Sequence, residues 1–312
     1  IRSTREWGGD SSRGAAFGIL ESGRGLVAAL FAALAVVVFA SLMPDDATLA
    51  TDEERRAAFQ AVIYVYSLIS VATAALVWFV IPEPEHEPVI SKRNPLKGML
   101  EVMGRPIIWA QALVIVCAYC FYKGAQNWSL YAVQVLGMDE VEAAQFTAIG
   151  AYVRPIAALS AGVVADRIGA TRSIGACFVL LLVTSIALGV ITPELVGMPI
   201  IVANMFGSLF GVFGLRGVYF ALLQDTRTPR HITGAAVGMV SVIGFTPEIF
   251  FSPIAGRILD ANPGVGGHLD LFKLLAVIAL TGFLAIIWLV RLKRNNSWAQ
   301  SVSSDKETAA AG

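Results

Sequence analysis

Apolar residues run in eight long blocks separated by short polar stretches: Gly25–Met43, Phe59–Ile81, Pro106–Val135, Val141–Ala165, Ile174–Ile191, Pro199–Leu223, Ile232–Ile254 and Leu271–Val290. Crossing a hydrocarbon layer ~30 Å thick takes about 20 mainly apolar residues as helix, because lipid offers backbone amides no hydrogen-bond partner. Each block therefore predicts a membrane-spanning helix, and the fold class is all-α integral membrane. The blocks at Pro106 and Pro199 exceed the minimum, which leaves room for tilt. The longest polar interval carries Pro82, Pro84, Pro88 and Pro95 with mixed charge. Proline at that density resists helix and sheet. Residues 83–105 are thus expected to link a two-helix bundle (residues 1–82) to a six-helix bundle (residues 106–292). The tail, residues 293–312, is polar and rich in Ser and Ala, and disorder is expected there.

Composition sharpens this picture. The 312 residues are 56% apolar and 15% charged, with mean hydropathy +0.69; soluble domains run at roughly 45–50% and about 25%. A soluble enzyme is excluded on that ground. Lys plus Arg and Asp plus Glu both number 23, and no clustered basic surface invites nucleic acid. Cys117, Cys120 and Cys177 sit inside apolar blocks. They form no disulfide framework, the Cys117–Cys120 spacing is an accident of a membrane helix, and no Cys/His spacing suggests a metal. No cofactor is expected.

Flanking charge gives the orientation. Sixteen of the 23 Lys and Arg residues fall in loops on one side and four (Arg55, Arg56, Arg257, Lys273) on the other. Lys and Arg concentrate in cytoplasmic loops, so both ends of the chain are expected in the cytoplasm and the spans in the cell (inner or plasma) membrane. The chain opens at Ile1 without a methionine, no cleavable signal precedes the first block, and the linker divides the spans two against six. The expectation is a fragment whose amino-terminal helices are missing.

Ionisable side chains within the spans cost at least about 2.5–3.5 kcal/mol each and mark functional sites. Four stand out: Lys123, Arg154, Arg216 and Glu248. Tyr119, Lys123, Gln126 and Asn127 share one helical face by steps of three and four, which suggests a water-filled cavity; an ordinary helix seam is the competing reading. For Lys123 and Arg154 the competing reading is an ion pair with Glu248; for Arg216 it is snorkelling to the interface. Three cations against one anion leave positive charge that a bound anion would neutralise. Glu21 and Arg24, at the mouth of the first span, read as an interfacial pair. None of the three histidines lies within a predicted span, which argues against a histidine proton relay. Gly207, Gly211 and Gly214, with Gly234 and Gly238, have the small-residue spacing of close helix packing. Gly244, Pro247 and Pro253 make the seventh span breakable. The fifth and eighth spans are apolar all round and are expected to face lipid, with the third, fourth, sixth and seventh around the cavity.

The loop after the fourth span reads Gly162-Val-Val-Ala-Asp166-Arg167-Ile-Gly169-Ala-Thr-Arg172. It resembles the G-x-x-x-D-R/K-x-G-R/K-x-x-R/K signature of the major facilitator superfamily, in the copy between helices eight and nine. It departs at Ala170, where the pattern prefers a basic residue, with Arg172 two places on. Physically, Gly169 permits a tight turn, while Asp166 and Arg167 can cap and pair with neighbouring helix ends. In the family this loop latches the inward-closed arrangement and does not touch substrate. Two spans, a polar loop and six spans are similar to family helices five to twelve, that is, two helices of the first half and the whole second half. The glycine-proline motif common in family helix five is absent here, which counts against the drug/proton antiporter branch. Family members that carry anions often place a basic residue in helix seven or eight, where Lys123 and Arg154 would lie.

The resemblance and the buried cations together imply a secondary transporter that moves a small anionic solute by alternating access. Lys123 and Arg154 would hold the anion, and Tyr119, Gln126 and Asn127 would orient it. Glu248 and Arg216 would couple or gate, with protons or sodium as the coupling ion; Gly162, Asp166, Arg167, Gly169 and Arg172 would form the latch. Membrane lipid and the solute are the expected partners, and a monomer the expected state. The alternative is a transporter-like sensor that binds solute without moving it. An intramembrane enzyme would need a nucleophile with a base or a metal set, which no span carries.

Overall fold

The computed structural model describes residues 13–44, 50–80, 99–100, 102–222 and 233–294. The described elements are helices throughout. Eight segments are long and apolar enough to cross a membrane. They are the first span (Gly18–Ala40), second (Asp52–Phe79), third (Pro106–Gln134), fourth (Glu140–Ile168), fifth (Ala170–Val190), sixth (Met198–Ala221), seventh (Gly234–Ala261) and eighth (Val265–Arg294). Their number and order follow the apolar blocks. Their ends and interiors depart from them. The last helix runs through Arg294, so the predicted tail begins two residues late; residues 295–312 and most of the predicted linker lie outside the described residues.

The first helix begins at Arg13, twelve residues before the apolar block. Ala16, Gly18, Glu21, Gly25 and Ala29 are buried along it, while Ile19, Leu20, Leu26, Val27 and Leu30 are exposed. Small and polar residues point inward, large apolar ones outward. Such a pattern suits a lipid-facing helix that packs by close backbone approach, and a search for apolar runs misses its polar start. The second helix starts seven residues before Phe59 because a capping box holds it. The Thr51 amide donates to Glu54 Oε2 at 2.8 Å and the Glu54 amide donates to Thr51 Oγ1 at 3.3 Å. Asp139 and Glu142 cap the fourth span in the same reciprocal way.

Three spans are interrupted. The third passes from α-helix (Pro106–Gly124) through a 3₁₀ turn (Ala125–Asn127) to a short helix (Trp128–Gln134). The fourth divides into Glu140–Ala151 and Val153–Ile168, and the seventh into Thr233–Gly244 and Pro247–Ala261. Proline lacks the N–H and clashes with the carbonyl four residues back. For Pro155 that carbonyl belongs to Ala151, where the helix stops; Pro247 starts the second half of the seventh span. Pro253 leaves its helix unbroken.

The first span packs on the fourth and sixth, the fifth on the eighth and sixth, and the third on the eighth and seventh. Packing of the second span is chiefly on the first, with Tyr66 OH donating to the Phe31 carbonyl at 2.7 Å. Its Leu68, Trp78 and Phe79 are wide open. In the sixth span, a Cβ built on Gly211 would lie 2.9 Å from Leu181 Cγ, and one on Gly214 3.2 Å from Cys177 Sγ. Those glycines admit the fifth span as expected. Gly234 and Gly238 do not serve that role among the described residues, none of which comes within 4 Å of a Cβ built on either.

A junction of three helices lies elsewhere. The Ala158 carbonyl oxygen is 2.8 Å from a Cβ built on Gly18 of the first span, and equally 2.8 Å from one built on Gly217 of the sixth. Three helices thus meet at one backbone oxygen. Gly217→Val is expected to destabilise the protein by about 1–3 kcal/mol, since the obstacle, the Ala158 carbonyl, is backbone and must move. Gly238→Val should stay within about 0.5 kcal/mol of the parent. Thermal unfolding in detergent measures both, and equal losses would overturn this account of the packing.

Candidate functional site

The buried charge is organised around a residue that the sequence placed at the interface. Glu21 projects from the first span with its side chain 8% exposed. A single oxygen, Oε1, accepts from Arg154 Nη2 at 2.5 Å, Arg154 Nε at 3.1 Å and Arg216 Nε at 3.0 Å. Arg154 comes from the fourth span one residue before Pro155, and a Cβ on Gly25 would lie 2.7 Å from its Cγ. Only glycine there lets the arginine stem pass between the helices. Charge-assisted bonds of this kind are the strong ones, and removing one partner of a buried pair costs about 3–5 kcal/mol.

Arg216 therefore does not snorkel. Its side chain is 9% exposed and its guanidinium lies 4.0 Å from the centroid of the Tyr122 ring. Its Nη1 is buried and has no hydrogen-bond partner among the described residues. Arg24 is different. Its Nη1 stands 3.5 Å from Glu21 Oε2, but its side chain is 62% exposed. The expected Glu21–Arg24 pair exists as the weak outer edge of a network whose buried arginines the sequence had left apart from Glu21.

A second network lies beside the first. Lys123 Nζ donates to Glu248 Oε1 at 3.0 Å and Tyr119 OH donates to Glu248 Oε2 at 2.8 Å. The lysine is buried and the carboxylate more than half exposed. Of the two cations expected to share one site, Lys123 pairs with Glu248 and Arg154 with Glu21. Tyr119 joins the two networks, its ring 5.5 Å from Tyr122 and 5.9 Å from the Arg216 guanidinium carbon. Between them opens a chamber of about 330 Å³ lined by Leu20, Glu21, Arg24, Tyr119, Arg216, Gly217, Tyr219, Phe220, Ser241 and Phe245. The third, sixth and seventh spans line it; the fourth, also expected around it, gives no lining residue and reaches it only through Arg154 on Glu21, while the first span takes its place in the wall. Neither the fifth nor the eighth contributes a wall. With Glu21 counted, the buried cations Lys123, Arg154 and Arg216 face two carboxylates, not one.

The other polar residues of the third span lie apart from this chamber. Gln126 lines a smaller apolar cavity with Tyr122, Trp128, Phe146, Thr147 and Phe213. The Asn127 amide donates back to the Gly124 carbonyl at 3.3 Å, within the 3₁₀ turn. His268, predicted outside any span, is in the first turn of the eighth helix and is 1% exposed. Its Nε2 is 3.0 Å from Gln134 Oε1 and its ring meets Tyr131 edge-on at 5.1 Å. The helix reaches it because Val265–Gly267 continue the turn where apolarity alone marks no start.

At the signature loop, Gly169 has φ +92°, a region that favours glycine, and ends the fourth span. Asp166 Oδ2 accepts a hydrogen bond from the Ala15 amide at 2.8 Å. A carboxylate there satisfies an amide that the first turn of a helix leaves without an intrahelical partner, and the helix dipole favours it. Gly162 Cα lies 3.3 Å from a Cβ built on Gly18. Two members of the signature thus meet the first span, whereas Arg167 and Arg172 are exposed.

Comparison with known proteins places this geometry. The sequence matches the Major Facilitator Superfamily over residues 1–251. It is 26% identical over 299 residues to the inner membrane protein YihN of Escherichia coli strain K12, covering 93% of this chain and 69% of YihN. It is 27% identical over 317 residues to the inner membrane protein YqcE of the same organism, covering 98% of this chain and 72% of YqcE. Among solved structures its fold is similar to a bacterial homologue of the human lysosomal transporter Spinster, in an inward-facing and unoccupied conformation. The TM-score is 0.57 at 15% identity, over 90% of this chain and 72% of that one. Eight helices able to cross a membrane, the loop built around Gly162, Asp166 and Gly169, and the match over residues 1–251 lead to one conclusion: this chain belongs to the Major Facilitator Superfamily, a family of membrane transporters.

Proposed function

We propose that the protein moves a small anionic solute by alternating access, its two helical halves rocking about a shared site. The observation that carries this reading is Arg216. It is a guanidinium nine-tenths buried, with Nη1 unpartnered among the described residues, at the wall of a 330 Å³ chamber. A buried donor left without an acceptor costs about 1–3 kcal/mol or more when charged. An entering oxyanion supplies that acceptor. In this reading the solute meets Arg216 first, with Arg154 behind it on the same carboxylate, Tyr119 also at the wall, and Lys123 beyond Tyr119 on Glu248. Glu248, more exposed than its partners, exchanges the coupling proton or sodium or acts as a gate. Gln126 and Asn127 take a secondary part, facing the apolar cavity and the helix turn. Lys and Arg bias orients both ends of the chain toward the cytoplasm of an inner-type membrane. The latch is then Asp166 on the first turn of the first span.

Counterflow in proteoliposomes holding the intact protein, with a panel of labelled carboxylates and inorganic oxyanions, tests the class. Exchange of at least one anion is expected, and exchange of neutral solutes alone would overturn the reading; binding without exchange would make the protein a sensor. Arg154→Gln should abolish counterflow while membrane levels persist, and normal exchange by that variant removes Arg154 from the site.

Asp166→Asn tests the latch. It weakens the hold on the Ala15 amide, so labelling of chamber-facing cysteines from the signature-loop side should rise about three- to tenfold, the equivalent of about 0.6–1.4 kcal/mol. Unchanged labelling would separate the signature loop from the conformational equilibrium.

A further inference from the structure

We infer that Glu21 is a built-in anion that occupies the solute's place on the arginines, and that the solute's negative group binds by displacing it. This rests on the anionic-solute reading above. It assigns a site, the Arg154–Arg216 pair, and a ligand class, compact carboxylates and oxyanions of similar size.

The geometry has the form of a site already filled. Glu21 Oε1 takes three donors from two helices, while among the described residues its Oε2 has Arg24 at 3.5 Å. One oxygen is saturated by the buried arginines, and the other leans toward an exposed one. Glu21 thus has two available partners, an inner buried pair and an outer cation 62% exposed. Arg24 borders both the chamber and an open groove of about 710 Å³ along the first span, which also touches Arg154. A route outward for the carboxylate is present.

An anion entering the chamber meets Arg216 at its wall, and the buried Nη1 of that residue has no hydrogen-bond partner among the described residues. Once seated there it lies close to the Glu21 carboxylate in a dry environment, where like charges repel strongly and water does not screen them. Repulsion favours the Glu21 rotamer directed to Arg24, and the vacated Nε groups then close on the solute. The arginines are never left without a counter-charge, so the cost of an uncompensated buried cation does not arise.

Displacement also does mechanical work. Glu21 belongs to the first span, and Arg154 and Arg216 to the fourth and sixth. While it is seated, one oxygen ties three helices together next to the packed junction at Ala158. When it leaves, the solute remains with the fourth and sixth spans; among the described residues the first span keeps its small-residue packing there and two hydrogen bonds to the fourth span, Ser22 Oγ on the Pro155 carbonyl at 3.0 Å and the Ala15 amide on Asp166. Binding energy is thereby converted into release of the seam.

A tethered competitor lowers apparent affinity, and its removal should raise it. Acetate is the probe, since it reproduces the Glu21 carboxylate, and saturable protection of the full chain against thermal unfolding in detergent at fixed ionic strength is the readout. Glu21→Gln is expected to bind acetate about tenfold more tightly than the parent. Glu21→Gln combined with Arg216→Gln should lose that gain. If the parent binds acetate and Glu21→Gln binds equally or more weakly, the exchange inference is overturned while the anion reading stands. Failure of acetate, sulfate and phosphate to protect any of these proteins overturns both. A second measurement needs no Glu21 substitution. Spin labels at the exposed positions Leu26 and Ile156 should move apart on adding acetate to the otherwise unaltered protein, and a fixed distance at saturating acetate would equally reject displacement.

Discussion

One carboxylate oxygen fixes the arrangement of this protein's charged interior. Glu21 Oε1 accepts three N–H groups from two arginines on two helices, in surroundings where an unpaired charge is costly. That requirement dictates much else. Gly25 must be small for Arg154 to pass, Gly18 and Gly217 must be small for the helices to meet at Ala158, and the first helix must begin well before its apolar block. The charge network and the small-residue packing are two aspects of one seam.

The interrupted spans bring the remaining polar groups to that seam. The helix of the fourth span stops at Ala151, three residues before Arg154, and Pro247 starts a new helix immediately before Glu248. Arg154 and Glu248 therefore sit just past a break in their helices. Breaks of this kind are tolerated inside a membrane only where neighbouring groups re-satisfy the freed backbone. Tyr119 and Lys123 hold Glu248 beside the break, and the aromatic rings of Tyr119, Tyr122 and Phe245 separate that pair from the arginines. Two charge clusters stand side by side without merging, and a chamber lies between them.

Membership of the Major Facilitator Superfamily gives this arrangement a context in transport. The signature loop contributes Asp166 and Gly162 to the first span, the same helix that carries Glu21. Contacts at the loop and contacts at the chamber therefore act on one element. Exposed Arg167 and Arg172 are free of that seam, and the basic position replaced by Ala170 would lie on the far side of the Gly169 turn.

The sequence by itself determined the fold class, the number and order of spans and the identity of the family. Those follow from the length of apolar runs and from a local loop pattern, and neither depends on which helices touch. It also marked Lys123, Arg154, Arg216 and Glu248, because the cost of a charge in lipid is a property of depth. Tertiary structure alone decided the pairing. Arg154 and Arg216 find Glu21 across 133 and 195 residues of chain, and Lys123 finds Glu248 across 125. Glu21 looked interfacial because polar residues surround it in sequence, yet Ala16, Gly18, Gly25 and Ala29 line its face, and only a packed neighbour turns such a stripe into a buried one. Periodicity states which side of a helix is small or charged; what stands opposite is set by the other helices.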